Sequence, residues 1–207
     1  IALAELTGAR LHIAHVSTAA SVDAIRTAKK QGIQITAETT PHHFALTDKN
    51  TPGYDGNWKM NPPLRGNADR EALLRGLADG VIDAIATDHA PHGCTAKTMG
   101  MELAPFGVIG LETSLSVALT DLYHKKVLTR RRLVERMSAT PAALLGLKNK
   151  GTLAPGADAD LAVVDPDGAW TPSAPFQSKS RNSPFVGRRL KGRILTTLCA
   201  GRVVHAL

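Results

Sequence analysis

One stretch limits the folds open to this chain more than any other: Ile82-Asp83-Ala84-Ile85-Ala86-Thr87-Asp88-His89-Ala90-Pro91-His92. It starts after Gly80 as a short apolar run with β-branched residues and closes on Asp88 ahead of a proline-containing loop. Such a run suits a strand buried on both faces, as in a parallel sheet. When parallel strands and helices alternate around a barrel, chemistry is done where strands end and loops begin. Asp88, His89 and His92 fall at that end. Carboxylate oxygen and imidazole nitrogen are good zinc donors, and an open coordination position lets the metal activate water. The same three residues equally read as an aspartate capping the loop beside two solvated histidines. On its own, the stretch supports either.

The remainder of the chain sets the context. Leu11 to Val16 reads as a strand, followed by a helix from Ala19 to Gln31 with Val22, Ile25 and Ala28 at helical spacing; Ser17 or Thr18 is its cap. Ile33 to Thr39 is a second strand, ending at Pro41-His42-His43. After a long loop, Asn67 or Asp69 starts a helix to about Asp79, and the Ile82 strand follows. Strand, helix, strand, helix, strand implies parallel βαβ units. Beyond Asp88 the sequence predicts a loop to Phe106-Gly107, a helix from Ser114 to Lys125, another capped by Thr129, and a short one starting at Thr140-Pro141.

The composition then shifts. Gly151 to Gly156 is turn-rich, Ala159 to Asp165 is a strand, and Trp170 to Arg189 is rich in proline and serine. The last two apolar runs, Arg193 to Leu198 and Arg202 to His205, read as a hairpin across Ala200-Gly201. The expected division is therefore an α/β portion over residues 1–146 and a small β module over 147–207.

The net charge of +7 raises the question of a nucleic-acid ligand. The basic residues are dispersed, however, and aromatics make up only 4%, too few for base-stacking platforms. Clusters such as Lys125-Lys126 with Arg130-Arg131-Arg132 read as solvated faces, with a pull on an anionic substrate as the second choice. No apolar run approaches the ~18 residues a membrane span needs. Two widely spaced cysteines, Cys94 and Cys199, suit a reducing cytoplasm better than a disulfide framework. The chain begins as the last turns of a helix and without Met, so it is expected to be the later part of a longer protein.

Three successive strands thus end in His15, in His42-His43, and in Asp88 with His89 and His92. A single such histidine would more often be structural. Three strand ends in register, each bearing metal-type donors, favour a metal site.

His15-Val16-Ser17-Thr18, Thr40-Pro41-His42-His43, Lys59-Met60-Asn61-Pro62-Pro63-Leu64-Arg65, Asp88-His89-Ala90-Pro91-His92 and Ala104-Pro105-Phe106-Gly107 resemble the motifs of type I dihydroorotases, in that family's order and near its spacing. The Gly151 to Asp165 segment is similar to the small β domain of the amidohydrolase superfamily. The resemblance implies the C-terminal part of a (β/α)8 metal-dependent hydrolase barrel followed by that domain. It implies zinc, two ions per complete site, with His15 and Asp88 as ligands and Asp88 also the general base and acid. Asn61, His92 and the backbone of Phe106 and Gly107 become substrate contacts. His42, His43 and His89 receive support or loop-ordering roles, with a purely structural role standing equally beside them.

The implied reaction is reversible cyclisation of N-carbamoyl-L-aspartate to L-dihydroorotate, a pyrimidine-biosynthesis step in the cytoplasm. The implied partners are that small molecule and further copies of the protein, with aspartate transcarbamoylase as a further candidate, and without nucleic acid or membrane. The family's other metal ligands lie before residue 1, so this chain alone is expected to be inactive. Two alternatives accompany this reading: another cyclic-amide hydrolase such as an allantoinase or hydantoinase, and a non-catalytic subunit scaffolding aspartate transcarbamoylase.

Overall fold

The computed structural model describes residues 1–207. These form two compact units, one of residues 1–114 and 173–186, the other of residues 115–172 and 187–207. Residues 115–146 pack with the antiparallel strands, and 173–186 return to the first unit.

The first unit opens with α1 (Ala2–Thr7), ended by Gly8 at φ 68°. A parallel sheet follows, in the order β1 (Leu11–Ile13), β2 (Ile35–Thr39), β3 (Ala84–Ile85). The crossovers are α2 (Ala19–Lys30) and α4 (Asn67–Asp79). Thr18 starts α2 by accepting a hydrogen bond from the Ser21 N–H, and Val22, Ile25 and Ala28 are its buried residues. In α4, Ala72, Leu73, Gly76 and Leu77 are buried, and Gly80 closes the helix at φ 82°. Gly76 lets α4 pack closely here: a Cβ would stand 3.1–3.2 Å from Ile82 and Val22 side-chain carbons, which would have to give by a few tenths of an ångström. Burying each isoleucine or leucine of this layer contributes about 1.5–3 kcal/mol.

The strands are shorter than expected. Within the expected Ile82 to Asp88 strand, only Ala84 and Ile85 form regular strand in register with β2. Asp83 binds β2 through its backbone, N–H to Ala37 O at 2.8 Å, and also through its side chain: Oδ2 accepts from the Ala37 N–H at 2.8 Å, and both oxygens accept from Lys29 Nζ at 2.7 Å. This carboxylate ties the base of β2 to α2. Around it, Val81, Ile82, Ala84 and Ile85 are buried, in keeping with the apolar run.

The segment after β2 is not plain loop. Pro41 to Ala45 forms α3, capped by Thr40 and with Pro41 in its first turn, where a missing N–H costs nothing. Two 3₁₀ turns, Asp48–Asn50 and Gly56–Trp58, follow. The loop after Asp88 likewise holds two short turns of helix, α5 (Cys94–Lys97) and α6 (Gly100–Leu103).

In the second unit, α7 (Ser114–Ala118) runs on through a π turn over Leu119–Tyr123. Thr129 caps α8 (Arg130–Val134), a π turn covers Glu135–Ala139, and α9 (Thr140–Leu144) continues the same helix. Two separate helices were expected here. Pro141 lacks the N–H for an i→i−4 bond, and a widened turn immediately before it keeps the chain helical. The module then forms an antiparallel sheet in the order β4 (Leu161–Trp170), β5 (Leu190–Cys199), β6 (Arg202–Ala206). Ala200 and Gly201 both take positive φ, 50° and 76°, as a two-residue hairpin turn demands. Asp121, 2% exposed, receives Arg188 at 2.7 and 2.8 Å and Lys125 at 2.6 Å.

Both cysteines are free thiols. No helix is long and apolar enough to cross a membrane.

Candidate active site

The site is built on the C-terminal ends of β1, β2 and β3. His15 and Asp88 both occupy the left-handed region of backbone space, at φ 39° and 46°. Among non-glycine residues only Lys126 and Ala200 share it. Positive φ costs a side-chain-bearing residue energy, and such positions cluster where function requires a particular aim. Here it turns the chain sharply as each strand ends. The turns are pinned by Val16 N–H to Glu38 O (2.8 Å) and Ala86 N–H to Thr39 O (3.0 Å).

Between them, at the end of β2, α3 presents His42 and His43. His42 is 1% exposed, and its Nε2 lies 3.9 Å from Asp88 Oδ2. Burial holds its pKa well below the usual imidazole value, and the fields of His43 and His15 add to this. It is therefore a neutral ring beneath the Asp88 carboxylate, and its buried Nε2 has no hydrogen-bond partner. His43 Nε2 donates to Pro62 O at 2.8 Å, so Nδ1 is the acceptor for the Thr40 hydroxyl at 2.8 Å. Burial lowers His43 to about 4, opposed by its bond to Pro62 and aided by His15 and Arg65. His43 thereby anchors the segment that carries Asn61, which is itself exposed.

The Asp88 loop is braced from the other side. His89 Nδ1 accepts from the N–H groups of Gly110 (3.1 Å) and Leu111 (3.4 Å), which puts the ring proton on Nε2. His92 Nε2 donates to Phe106 O at 2.8 Å, joining two of the expected substrate contacts. Phe106 is 56% exposed, with the Lys59 ammonium 4.5 Å from its ring centroid. Gly107 has φ 126°, and a Cβ there would stand 2.4 Å from the Ala90 methyl, so no other residue fits.

His15, His42 and Asp88 thus gather at adjacent strand ends, while Asn61, His92, Phe106 and Gly107 belong to the loops above. Two residues of this site have no signature in the sequence. Lys97 lies in a polar loop and Asn182 in the proline- and serine-rich segment, yet they are 1% and 2% exposed. Only their burial, set by packing across the fold, distinguishes them.

The donor chemistry of His15 and Asp88 suits a zinc-type ion, and the unpartnered His42 nitrogen beside Asp88 is an environment with unmet polar demand. The number of donors falls short. No three metal-type side chains of this chain converge closely enough to hold an ion, whereas catalytic zinc takes three protein ligands. This chain fits as the supplier of part of a metal site.

Residues 2–204 match the model of the amidohydrolase family, and the chain belongs to that family. Its fold is part of the metal-dependent hydrolase barrel with a small β domain. Among curated proteins, it is 53% identical over 206 residues to a dihydroorotase of Desulforapulum autotrophicum and 54% identical over 208 residues to one of Anaeromyxobacter dehalogenans. Both alignments cover 99% of this chain and 48% of the relative. The chain spans about half the length of the curated relatives it matches. Among solved structures, it is similar to an L-hydantoinase (dihydropyrimidinase) from Arthrobacter aurescens. The TM-score is 0.91 at 34% identity, over 99% of this chain and 47% of that one. A dihydropyrimidinase from Brevibacillus agri matches with a TM-score of 0.89 at 27% identity, over 99% and 46%.

Proposed function

We propose that the complete protein containing this chain is a zinc-dependent dihydroorotase. It interconverts N-carbamoyl-L-aspartate and L-dihydroorotate for pyrimidine synthesis, in the cytoplasm and as a homo-oligomer. The observation that carries this reading is the single hydrogen-bonded loop cluster that unites the Lys59 to Arg65, Asp88 to His92 and Ala104 to Gly107 motifs over the ends of β1 to β3. In the same reading, residues 1–146 are the C-terminal part of the barrel and 147–207 the small β domain.

In the proposed site, His15 and Asp88 hold metal together with ligands from outside this chain. A bound zinc supplies Lewis acidity, lowering the pKa of water and polarising a carbonyl. In ring opening, Asp88 accepts the proton of the attacking water and delivers it to the departing ring nitrogen. Its carboxylate stands over a neutral His42, so no buried cation competes for that proton. His92 spends Nε2 on Phe106 O and keeps Nδ1 for substrate, while Asn61 and the Phe106-Gly107 backbone orient the ring and its carboxylate. Each such hydrogen bond, if closed off from water by bound substrate, contributes about 0.5–1.5 kcal/mol, or up to about 3 to a charged group.

The direct test is the substrate range of the complete, metal-loaded protein. Dihydroorotate opening with little hydantoin or allantoin turnover is expected. A preference for hydantoin would place the protein with its solved neighbours, and absence of any turnover would favour the scaffolding subunit.

Two substitutions separate the roles. His15→Ala in the complete protein is expected to lower bound zinc and weaken its affinity about 10- to 100-fold or more, read by metal analysis and chelator competition. Unchanged stoichiometry and affinity would return His15 to a structural role. His92→Ala and Asn61→Ala should each raise KM or lower kcat by about 10- to 100-fold while zinc content stays whole. Zinc loss on His92→Ala would move that residue onto the metal.

A further inference from the structure

Lys97 is the most unusual charge in the first unit. It is 1% exposed, and its Nζ donates to three backbone carbonyls: Pro105 O at 2.9 Å, Gly107 O at 2.9 Å and Lys59 O at 3.2 Å. An ammonium has three donors, and here all three are used. A buried charge is costly unless fully bonded, and a neutral side chain would leave three carbonyls of irregular backbone with fewer donors.

The carbonyls are not arbitrary. Lys59 opens the segment that carries Asn61, and Pro105 to Gly107 flank the backbone assigned to substrate. The same two strands of loop are cross-tied by the Gly107 N–H to Lys59 O at 2.9 Å. A second strut comes from far along the chain. Asn182 Nδ2 donates to Gly107 O at 3.1 Å and to Ala90 O at 3.0 Å, and its own carbonyl accepts from the Ile109 N–H at 3.0 Å. Gly107 O therefore receives both Lys97 and Asn182, and Gly107 has no room for a Cβ that could loosen the arrangement.

We propose that Lys97, seconded by Asn182, is a positioning residue that sets the substrate-binding backbone of Phe106-Gly107 against the Asn61 segment. This rests on the dihydroorotase reading of the site. It adds that the loop's pose is controlled from behind, by a cation that never meets substrate. The cage also has a built-in weakness. Burial, with the nearby charge of Lys59 and against that of Asp55, lowers the Lys97 ammonium to about 8. Cys94 on its own helical turn, and His92 and Arg181, line with it the adjoining 220 Å³ cavity. Below about 8 all three carbonyls have a donor; above it one N–H is lost and a lone pair faces a carbonyl.

The test uses the complete, metal-loaded protein with dihydroorotate. Wild-type KM should rise as pH passes about 8, and Lys97→Met should raise KM about tenfold or more at neutral pH, keep kcat within about threefold, and lose that inflection. Unchanged KM in the folded variant, or metal loss with kcat and KM changing together, would overturn the proposal. Should Lys97→Met not fold, the wild-type pH profile and Asn182→Ala decide. A KM flat from about pH 7 to about pH 9, with Asn182→Ala kinetically normal, overturns it. If the wild type opens no dihydroorotate, the functional reading fails by itself, and amide exchange over residues 105–109 still reads the cage. Faster exchange in Lys97→Met, or in Asn182→Ala where that is the folded variant, upholds it; unchanged exchange does not.

Discussion

Replacing Asp88 by alanine in the complete protein is expected to lower turnover of dihydroorotate by about 10³-fold or more, since general acid–base catalysis alone contributes 10²–10⁴-fold. The fold should survive. Asp88 is not part of the apolar core, its side chain is 31% exposed, and its partner His42 is already neutral. Alanine is a poorer occupant of the left-handed backbone at φ 46°, so about 1 kcal/mol of destabilisation is expected from that source. Steady-state kinetics beside a thermal melt separate the two effects. Wild-type turnover in Asp88→Ala would remove this residue from the chemistry altogether.

The chain of residues 1–207 on its own should behave very differently from the complete protein. Its parallel sheet has three strands, so β1 and β3 each keep an unpaired edge, and closing a barrel requires every edge to be paired. His12 and Ala14 in and after β1 are exposed, as are Leu3 (76%) and Leu6 (81%) of α1. In the other unit every residue of β6 is exposed, Val203 and Val204 at 61% and 62%. Apolar patches and open edges of this kind promote association. The expected result is a self-associating or poorly soluble product with no ring-opening activity in added zinc. Light scattering and a dihydroorotate assay on purified residues 1–207 check it. A monomer turning over at ordinary rates would mean that the metal site is complete within this chain.

What could be read from the sequence was local. The helical spacing of Val22, Ile25 and Ala28 and the Thr18 and Thr129 caps define helices within a turn or two of sequence. Ala200-Gly201 did the same for the hairpin. The strand ends with their His15 and Asp88 were legible because donor type and strand termination occur together there. Strand length was not, since pairing in a parallel sheet depends on a neighbour tens of residues away. The regular part of β3 is only Ala84–Ile85, although the Ala86 N–H still reaches Thr39 O. Pro141 marked a helix break, yet tertiary packing accommodated it in a widened turn. Lys97 and Asn182 escaped for a stronger reason. Lysine in a polar loop is normally solvated, and only the arrival of Pro105, Gly107 and Lys59 around it turns exposure into burial.

The excursion of residues 173–186 bears on how this architecture can be remodelled. Because Asn182 reaches the Gly107 loop from a segment threaded between β4 and β5, the antiparallel module is not a cassette that recombination could exchange freely. A transplant that brought in a foreign β4–β5 connection would remove one brace of the Gly107 loop while leaving residues 1–114 unchanged. Lineages that swap this module therefore need to retain the 173–186 segment or evolve another donor for Gly107 O.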